Sequence, residues 1–232
     1  MERNNESLAL ISDKDIQELN DIRTKLEQTL MTKLRNAGIY FHSMSRVKTL
    51  TSLQRKLDTG KYGTGKDDKK IQDLIGIRIN LFYTEDIRIS EALLEDTFMV
   101  DNWSKTAWEE NRFEAQKCNG VFKIPSKYLI NISDQLWEQP FDRTFEVQLR
   151  TVLFEGWHEI EHEMRYKYKM DEGFDDNRSS LWDGQEKDAR MMNSIIANLE
   201  LCDWSIVQIF DNLARDCLLY TSPSPRDRSV SR

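Results

Sequence analysis

Cysteine is scarce in this 232-residue chain: Cys118, Cys202 and Cys217 form an odd, scattered set with no CxxC spacing. That argues against a disulfide framework and a cysteine-rich zinc site, and leaves buried or incidental thiols. Proline is also sparse. Two of its four residues fall in the closing "TSPSPRDRSVSR", which has no apolar periodicity and reads as a disordered tail or a non-native scar of the reading frame. No run of 18 apolar residues exists, and "MERNNESLAL" lacks the basic-then-apolar order of a signal peptide, so the chain reads as cytoplasmic with no membrane partner. Positive charge is in deficit as well. With 33 Lys+Arg against 40 Asp+Glu the net charge is −7, which argues against a bulk electrostatic grip on duplex nucleic acid. Any polyanion must be met by a focused site.

What is present suits one sizeable core, or one domain with a helical appendage. From Ser12 to about Ala37 the residues Ile16, Leu19, Ile22, Leu26, Leu30 and Leu34 recur at threes and fours, predicting an amphipathic helix capped by Ser12 or Asp13. A second helical stretch is expected after Ser45, broken by the Gly-, Lys- and Asp-rich "DTGKYGTGKDDKK" at 58–70, read as a mobile loop. "DLIGIRINLFY" is short, β-branched and aromatic, which favours a buried strand. Asp86 to Asp96 reads as helix. Residues 97–143 read as irregular, with short strands expected around Val121–Ile124 and Tyr128–Ile132. A long amphipathic helix runs from about Gln185 to Leu219 through Met192, Ile195, Leu199, Trp204, Ile206 and Phe210.

The stretch "TFEVQLRTVLFEGWHEIEHEMRYK", residues 144–167, changes period midway. Phe145, Val147 and Leu149 alternate with Glu146, Gln148 and Arg150, so a carboxylate, an amide and a guanidinium share one strand face at intervals of about 6–7 Å. After Thr151 the apolar spacing becomes helical. Glu155, His158, His162 and Arg165 then share a polar stripe opposite Leu153, Trp157, Ile160 and Met164.

Two constellations fit these residues. The first is a literal HExxH, His158 to His162, the pattern of zinc peptidases. Its third ligand must be a downstream carboxylate, because the only other histidine is His42. The second joins the carboxylates to "SRVKTLTSLQRK", residues 45–56, where helical spacing puts Lys48, Ser52 and Lys56 on one face beside Arg46. A cation about 4 Å from a phosphate charge is worth on the order of 4 kcal/mol at an effective dielectric near 20, so such a face suits a triphosphate even in an acidic protein.

Four blocks in order, "RVKTLTSLQRK", "IQDLIGIRI", "FEVQLRT" and "WHEIEHEMRYK", resemble the synthetase domain of the RelA/SpoT family, specifically its small stand-alone alarmone synthetases. The resemblance runs from about Arg46 to Lys167. It implies an α/β fold, a mixed sheet flanked by helices of nucleotidyltransferase-like type. The expected organisation is an N-terminal helical segment at 1–44, a synthetase core at 45–180, a C-terminal helical segment at 181–220 and a tail at 221–232. The implied reaction moves pyrophosphate from ATP to a ribose 3′-hydroxyl with Mg²⁺ as cofactor. By resemblance, Arg46 and Arg78 flank the adenine, and Lys48, Ser52 and Lys56 hold the phosphates. Asp73 binds the metal, and Glu146 assists it or serves as base. Gln148, Arg150 and His162 form the site floor. Asp73 is expected at the start of its strand or at a distortion near Gly76, because five residues separate it from Arg78.

The acceptor half departs from the family pattern N-G-Y-x-S-x-H. In "CNGVFKIP" Asn119 and Gly120 match, but Val121, Lys123 and Pro125 replace Tyr, Ser and His. Phe122 or Tyr128 is the substitute candidate for stacking on the acceptor base. Glu155 stands where the family reads guanine with Asp or Asn, and His158 replaces a small residue. The acceptor readings are GDP or GTP, as in (p)ppGpp synthesis, or, for a toxic relative, an adenine nucleotide or the tRNA 3′ end. A nucleotide-binding pseudo-enzyme acting as an interaction module is the alternative of another class. The resemblance also implies a homo-oligomer formed through C-terminal helices.

Overall fold

The computed structural model describes residues 11–59, 61–62, 69–107, 109–110, 113, 117–132, 134–138, 140–166 and 185–221. The chain divides into two compact units, Met1–Trp108 with Ala115–Glu155, and Glu109–Glu114 with Gly156–Arg232. The expected tail at 221–232 falls almost wholly outside the described residues, as does most of the loop at 58–70.

The first unit opens with helix α1, Asp13–Asn36. Ser12 caps it: its hydroxyl accepts from the Asp15 amide at 3.2 Å, while the Asp15 carboxylate accepts from the Ser12 amide at 3.0 Å. Lys33 and Arg35 in the last turn complement the helix dipole. The helix ends in a left-handed Gly38 (φ 77°), where Gly38 N–H donates to the Arg35 carbonyl and Ile39 N–H to that of Leu34. Leu19, Ile22, Leu26, Leu30 and Leu34 are each at most 1% exposed. Burying side chains of this size contributes about 1.5–3 kcal/mol apiece.

Strand β1 is Phe41–Val47, followed by helix α2, Leu50–Asp58, and strand β2, Ile75–Leu81. Helix α3 is Asp86–Thr97, strand β3 Val100–Lys105 and strand β4 Cys118–Lys123. A 3₁₀ turn at Ser126–Tyr128 and the short helix α4, Asp134–Glu138, lead to strand β5, Thr144–Thr151. The five strands form one sheet in the order β1-β2-β5-β4-β3, in which only the β2–β5 pairing is parallel.

The register sorts the side chains. Ile75, Ile77, Ile79 and Leu81 of β2, Phe145, Val147 and Leu149 of β5 and Phe122 of β4 are all buried. These alternate positions make one apolar face. The intervening positions share the other, polar face: Arg46 lies opposite Gly76, which lies opposite Glu146, and Arg78 lies opposite Gln148, which lies opposite Asn119.

Two local expectations are corrected. Residues from Ser45 do not begin a helix, since Phe41–Val47 is a strand alternating in burial and paired to β2; the helix starts only at Leu50, after the Thr49 cap. Tyr128–Ile132 is not a strand but the end of a 3₁₀ turn and the bend after it. Strand β3 lies in a stretch that was expected to be irregular; its pairing with β4 is irregular between Val100 and Asn102, so no clean alternation marks it.

In the second unit, helix α5, Val152–Tyr166, continues from β5 and passes into this unit at Gly156. Helix α6, Glu186–Thr221, is a single run of 36 residues. Ile195, Trp204, Phe210 and Leu213 on it are exposed, and no helix among the described residues is long and apolar enough to cross a membrane.

Candidate active site

The first cluster is built where β1 hands over to α2. The Lys48 amide donates to the Leu74 carbonyl at 2.8 Å, which holds Lys48 against the segment leading into β2. Asp73 therefore sits just before its strand, in accord with the expected placement, and Gly76 is an ordinary strand residue. Lys48 donates to Asp73 Oδ2, and Lys56 donates to the same oxygen at 2.6 Å. Burial pushes the Asp73 pKa up, but the hydrogen bonds and charges of Lys48 and Lys56 outweigh it and hold the carboxyl below its ordinary range. Burial lowers the Lys48 pKa, and the neighbouring Lys56 charge adds to this against the pull of Asp73. Ser52 completes the first turn of α2, its amide donating to the Thr49 hydroxyl at 3.3 Å. Lys48 and Lys56 thus meet on Asp73, Lys48 from just before the helix and Lys56 from its last turn, with Ser52 in the first turn.

The second cluster is a chain of hydrogen bonds across the polar face. Arg150 donates to Asn119 Oδ1 at 2.8 Å, and Asn119 Nδ2 donates to Glu146 Oε1 at 2.9 Å. Gln148 Nε2 donates to Glu146 Oε2 at 2.8 Å, and Arg78 Nε donates to Gln148 Oε1 at 3.1 Å. Arg78 also donates to Glu155, which is 5% exposed. Each oxygen of Glu146 is therefore fixed by one neutral amide and keeps a lone pair. Burial lowers the Arg150 pKa, partly offset by the Glu155 charge.

One hydrogen bond ties together the chain segments that carry the two clusters. The Thr144 hydroxyl donates to the Gln72 carbonyl at 3.0 Å, which aligns the residue before Asp73 with the strand position two before Glu146. One polar atom of the first cluster is left unmatched: Asp73 Oδ1 is buried with no hydrogen-bond partner. A buried carboxylate oxygen in that state suits a hard cation. Among the described residues no group of three His, Cys, Asp or Glu side chains could hold a metal by itself. Mg²⁺ characteristically takes one or two carboxylates and completes its shell with water and substrate phosphate, so Asp73 fits it as such a partial site.

Other expected residues lie elsewhere. Phe122 is fully buried on the apolar face, edge-on to Trp103 at 5.4 Å and beside Phe145 at 5.7 Å between ring centres. It is a core residue and is corrected as a base-stacking candidate, because strand alternation turns it away from Asn119 and Glu146. Gly120 shares that buried side; a Cβ there would lie 2.6 Å from Phe122 and 2.8 Å from Trp103, so the glycine serves packing. Tyr128 lies 3.2 Å from the Thr29 hydroxyl of α1 through its own. Val121, opposite Glu146 on the polar face, is the β4 residue next to the carboxylate. Counting by twos from Asn119 along the strand finds it. His158 is half-buried on α5 in the second unit, and the side chain of His162 lies outside the described residues.

A family model described as "Region found in RelA / SpoT proteins" matches residues 45–171, more than half of the chain. The chain belongs to the RelA/SpoT family. Among curated protein sequences none matches. Among solved structures, this RelA/SpoT chain is similar to small alarmone synthetase 2 from Bacillus subtilis, with a TM-score of 0.59, 16% identity, and coverage of 87% of this chain and 99% of that one. Small alarmone synthetase 1 from the same organism, bound to its product pppGpp, gives a TM-score of 0.59 at 20% identity, covering 85% and 93%. Its structure with AMPCPP gives 0.51 at 17% identity, covering 86% and 93%. The mixed five-stranded sheet flanked by helices is thus an alarmone-synthetase fold.

Proposed function

We propose that the chain is an ATP-dependent pyrophosphokinase that transfers the β,γ-diphosphate of ATP to a nucleoside 3′-hydroxyl. The observation that carries this reading is the Asp73 carboxylate, clasped by Lys48 and Lys56 through one oxygen and unpartnered at the other. The structures of small alarmone synthetase 1 bound to AMPCPP and to its product pppGpp support nucleotides as donor and product.

In this reading Lys48, Ser52, Lys56 and the start of α2 receive the triphosphate, since cations and free helix-end amides both favour phosphate. Arg46 and Arg78, on neighbouring strands of the polar face one rung apart, flank the adenine. The acceptor oxygen attacks the β-phosphorus, a new O–P bond forms, the bond from the β-phosphorus to the α,β-bridging oxygen breaks, and AMP leaves. Glu146, aimed by Asn119 and Gln148, takes the hydroxyl proton and passes it to solvent. Mg²⁺ at Asp73, when bound, neutralises developing phosphate charge. No covalent nucleophile is required.

The test is incubation of the protein with ATP labelled at the β or γ phosphate and GDP, GTP, ADP, ATP or tRNA in parallel. Label on an acceptor with release of AMP is the expected result. Label confined to ATP with every acceptor, in protein shown to be folded, removes the reading. The exposed apolar residues of α6 support assembly into a homo-oligomer, read by sedimentation.

A further inference from the structure

Glycine inside a β-strand costs stability unless something requires it. Gly76 is the second residue of β2 and lies on the polar face, between Arg46 of β1 and Glu146 of β5. The usual requirements do not apply to it. Its φ is not positive, as that of Gly38 is, and β2 pairs with both neighbours without a bulge. An added Cβ would meet no heavy atom within 4 Å, in contrast to Gly120, whose absent side chain makes room for Phe122 and Trp103. A β-branched residue would therefore fit the free protein and suit the strand better. The reason left for a glycine in a strand is close approach of a ligand to the bare backbone.

The side chains around this gap define the ligand. Register makes a square of four positions on the polar face, with Arg46 opposite Gly76 and Met44 opposite Arg78. Arg46 is exposed and has no hydrogen bond or ion pair among the described residues. Arg78 is pinned at its edge, donating through Nε to Gln148 and through Nη1 to Glu155. Such in-plane bonds leave guanidinium faces available for stacking. The two arginines occupy one diagonal of the square, about 7–8 Å apart in an antiparallel pair. That is twice a van der Waals contact of about 3.5–4 Å, the room that one flat ring needs between two stacking planes. Exposed Met44 and the gap at Gly76 occupy the other diagonal. A soft thioether thus borders one edge of the ring, and the corner without a side chain lets the ring's substituent pass toward Glu146, one strand or about 4.8 Å away.

We propose that Gly76 is a specificity-determining residue for the donor: the nucleoside of ATP lies against the bare backbone of β2, with one edge of its base on Met44 and its ribose over Gly76. This rests on the pyrophosphokinase reading above, which puts the base between Arg46 and Arg78. A side chain at position 76 lifts the ribose off the sheet and away from Glu146. Phosphates held by Lys48 and Lys56 at Asp73, three residues earlier, are untouched by it.

The test compares wild type with Gly76→Ala and Gly76→Val. Calorimetric titration is run in Mg²⁺ with AMPCPP and, separately, with inorganic tripolyphosphate, and stability is read by urea unfolding. AMPCPP affinity is expected to fall roughly threefold in Gly76→Ala and roughly tenfold or more in Gly76→Val, the scale of a displaced stacking contact. Tripolyphosphate affinity stays within about twofold. The unfolding midpoint is equal or higher in both variants, because each substitution adds strand propensity. Weaker nucleotide binding at undiminished stability is a combination that a merely structural glycine does not give. Unchanged AMPCPP affinity in Gly76→Val, a parallel loss of tripolyphosphate affinity, a lowered unfolding midpoint in both variants, or wild type that binds no AMPCPP overturns the proposal. In the label-transfer assay, a wild-type KM for ATP in Gly76→Val sinks the role of Gly76 and leaves the pyrophosphokinase reading standing. The expected binding pattern in a protein that labels no acceptor upholds the role of Gly76 and sinks that reading.

Discussion

Lys56 and Asp73, 17 residues apart, meet at 2.6 Å through the carboxylate oxygen that Lys48 also uses. One acidic side chain therefore organises both lysines and still presents a second, unmatched oxygen. Asp73→Asn removes the charge that holds them. Turnover is expected to fall roughly 10²- to 10³-fold or more, the scale for losing one electrostatic group at a reacting centre. Glu146→Gln should lose about 10²- to 10⁴-fold, the range for a general base. Both are read by transfer of labelled diphosphate, with circular dichroism confirming the fold; near-wild-type rates remove the assigned roles.

The same arrangement sets an acid dependence. Asp73 has a folded pKa below its ordinary 3.8, so its contribution to stability is present above that value and is lost as pH falls through the lower folded value. Thermal midpoints of wild type should drop on acidification below about pH 4. Asp73→Asn should be less stable at neutral pH and show a shallower acid slope. Parallel slopes would show that the lysine pair does not stabilise the folded state.

Gly120→Ala tests packing against acceptor binding. The new methyl must displace Phe122 or Trp103 ring atoms at 2.6–2.8 Å, an overpacking expected to cost about 1–3 kcal/mol in chemical denaturation. Specific activity of the folded fraction should be little changed. A large rise in acceptor KM at unchanged stability would return Gly120 to the acceptor site.

Val121→Tyr restores an aromatic ring on the polar face opposite Glu146. Stacking of a base on an aromatic side chain is worth about 1–3 kcal/mol, so the KM of a purine acceptor should fall roughly 5- to 150-fold. An unchanged KM would mean that the base does not lie over this position.

Arg78 and Glu155 should be energetically coupled. Arg78→Ala and Glu155→Ala each break a largely buried charged hydrogen bond, at about 1.5–3 kcal/mol apiece. In a double-mutant cycle by urea unfolding the combined loss should fall short of the sum by at least about 0.5 kcal/mol. Strict additivity would show that the contact contributes nothing.

How far the residue pattern could be read depended on the element. Helix α1 was legible because its buried aliphatic residues repeat at threes and fours, and β5 because polar and apolar residues alternate over six positions. Strand β1 was not. Its inward positions include Ser43 and Ser45, polar residues that donate to the Glu27 carboxylate of α1 at 3.3 and 2.6 Å. No local pattern announces that distant partner, so the basic residues after Ser45 suggested a helix. Phe122 looked available for stacking because an aromatic near an Asn-Gly pair is locally ambiguous; only the pairing of β4 with β5 turns it inward.

The order of the residues by itself determined helices α1, α3, α5 and α6, the two faces of β5 and the four blocks that mark the family, because periodicity along one element is a local property. Tertiary structure decided which side chains meet: Lys48 and Lys56 on Asp73, Asn119 and Gln148 on Glu146, and Glu155 on Arg78. Those meetings depend on register between strands far apart in the chain, and register is set by the shared burial of Ile75, Ile77, Phe145, Val147 and Phe122, which no single segment contains.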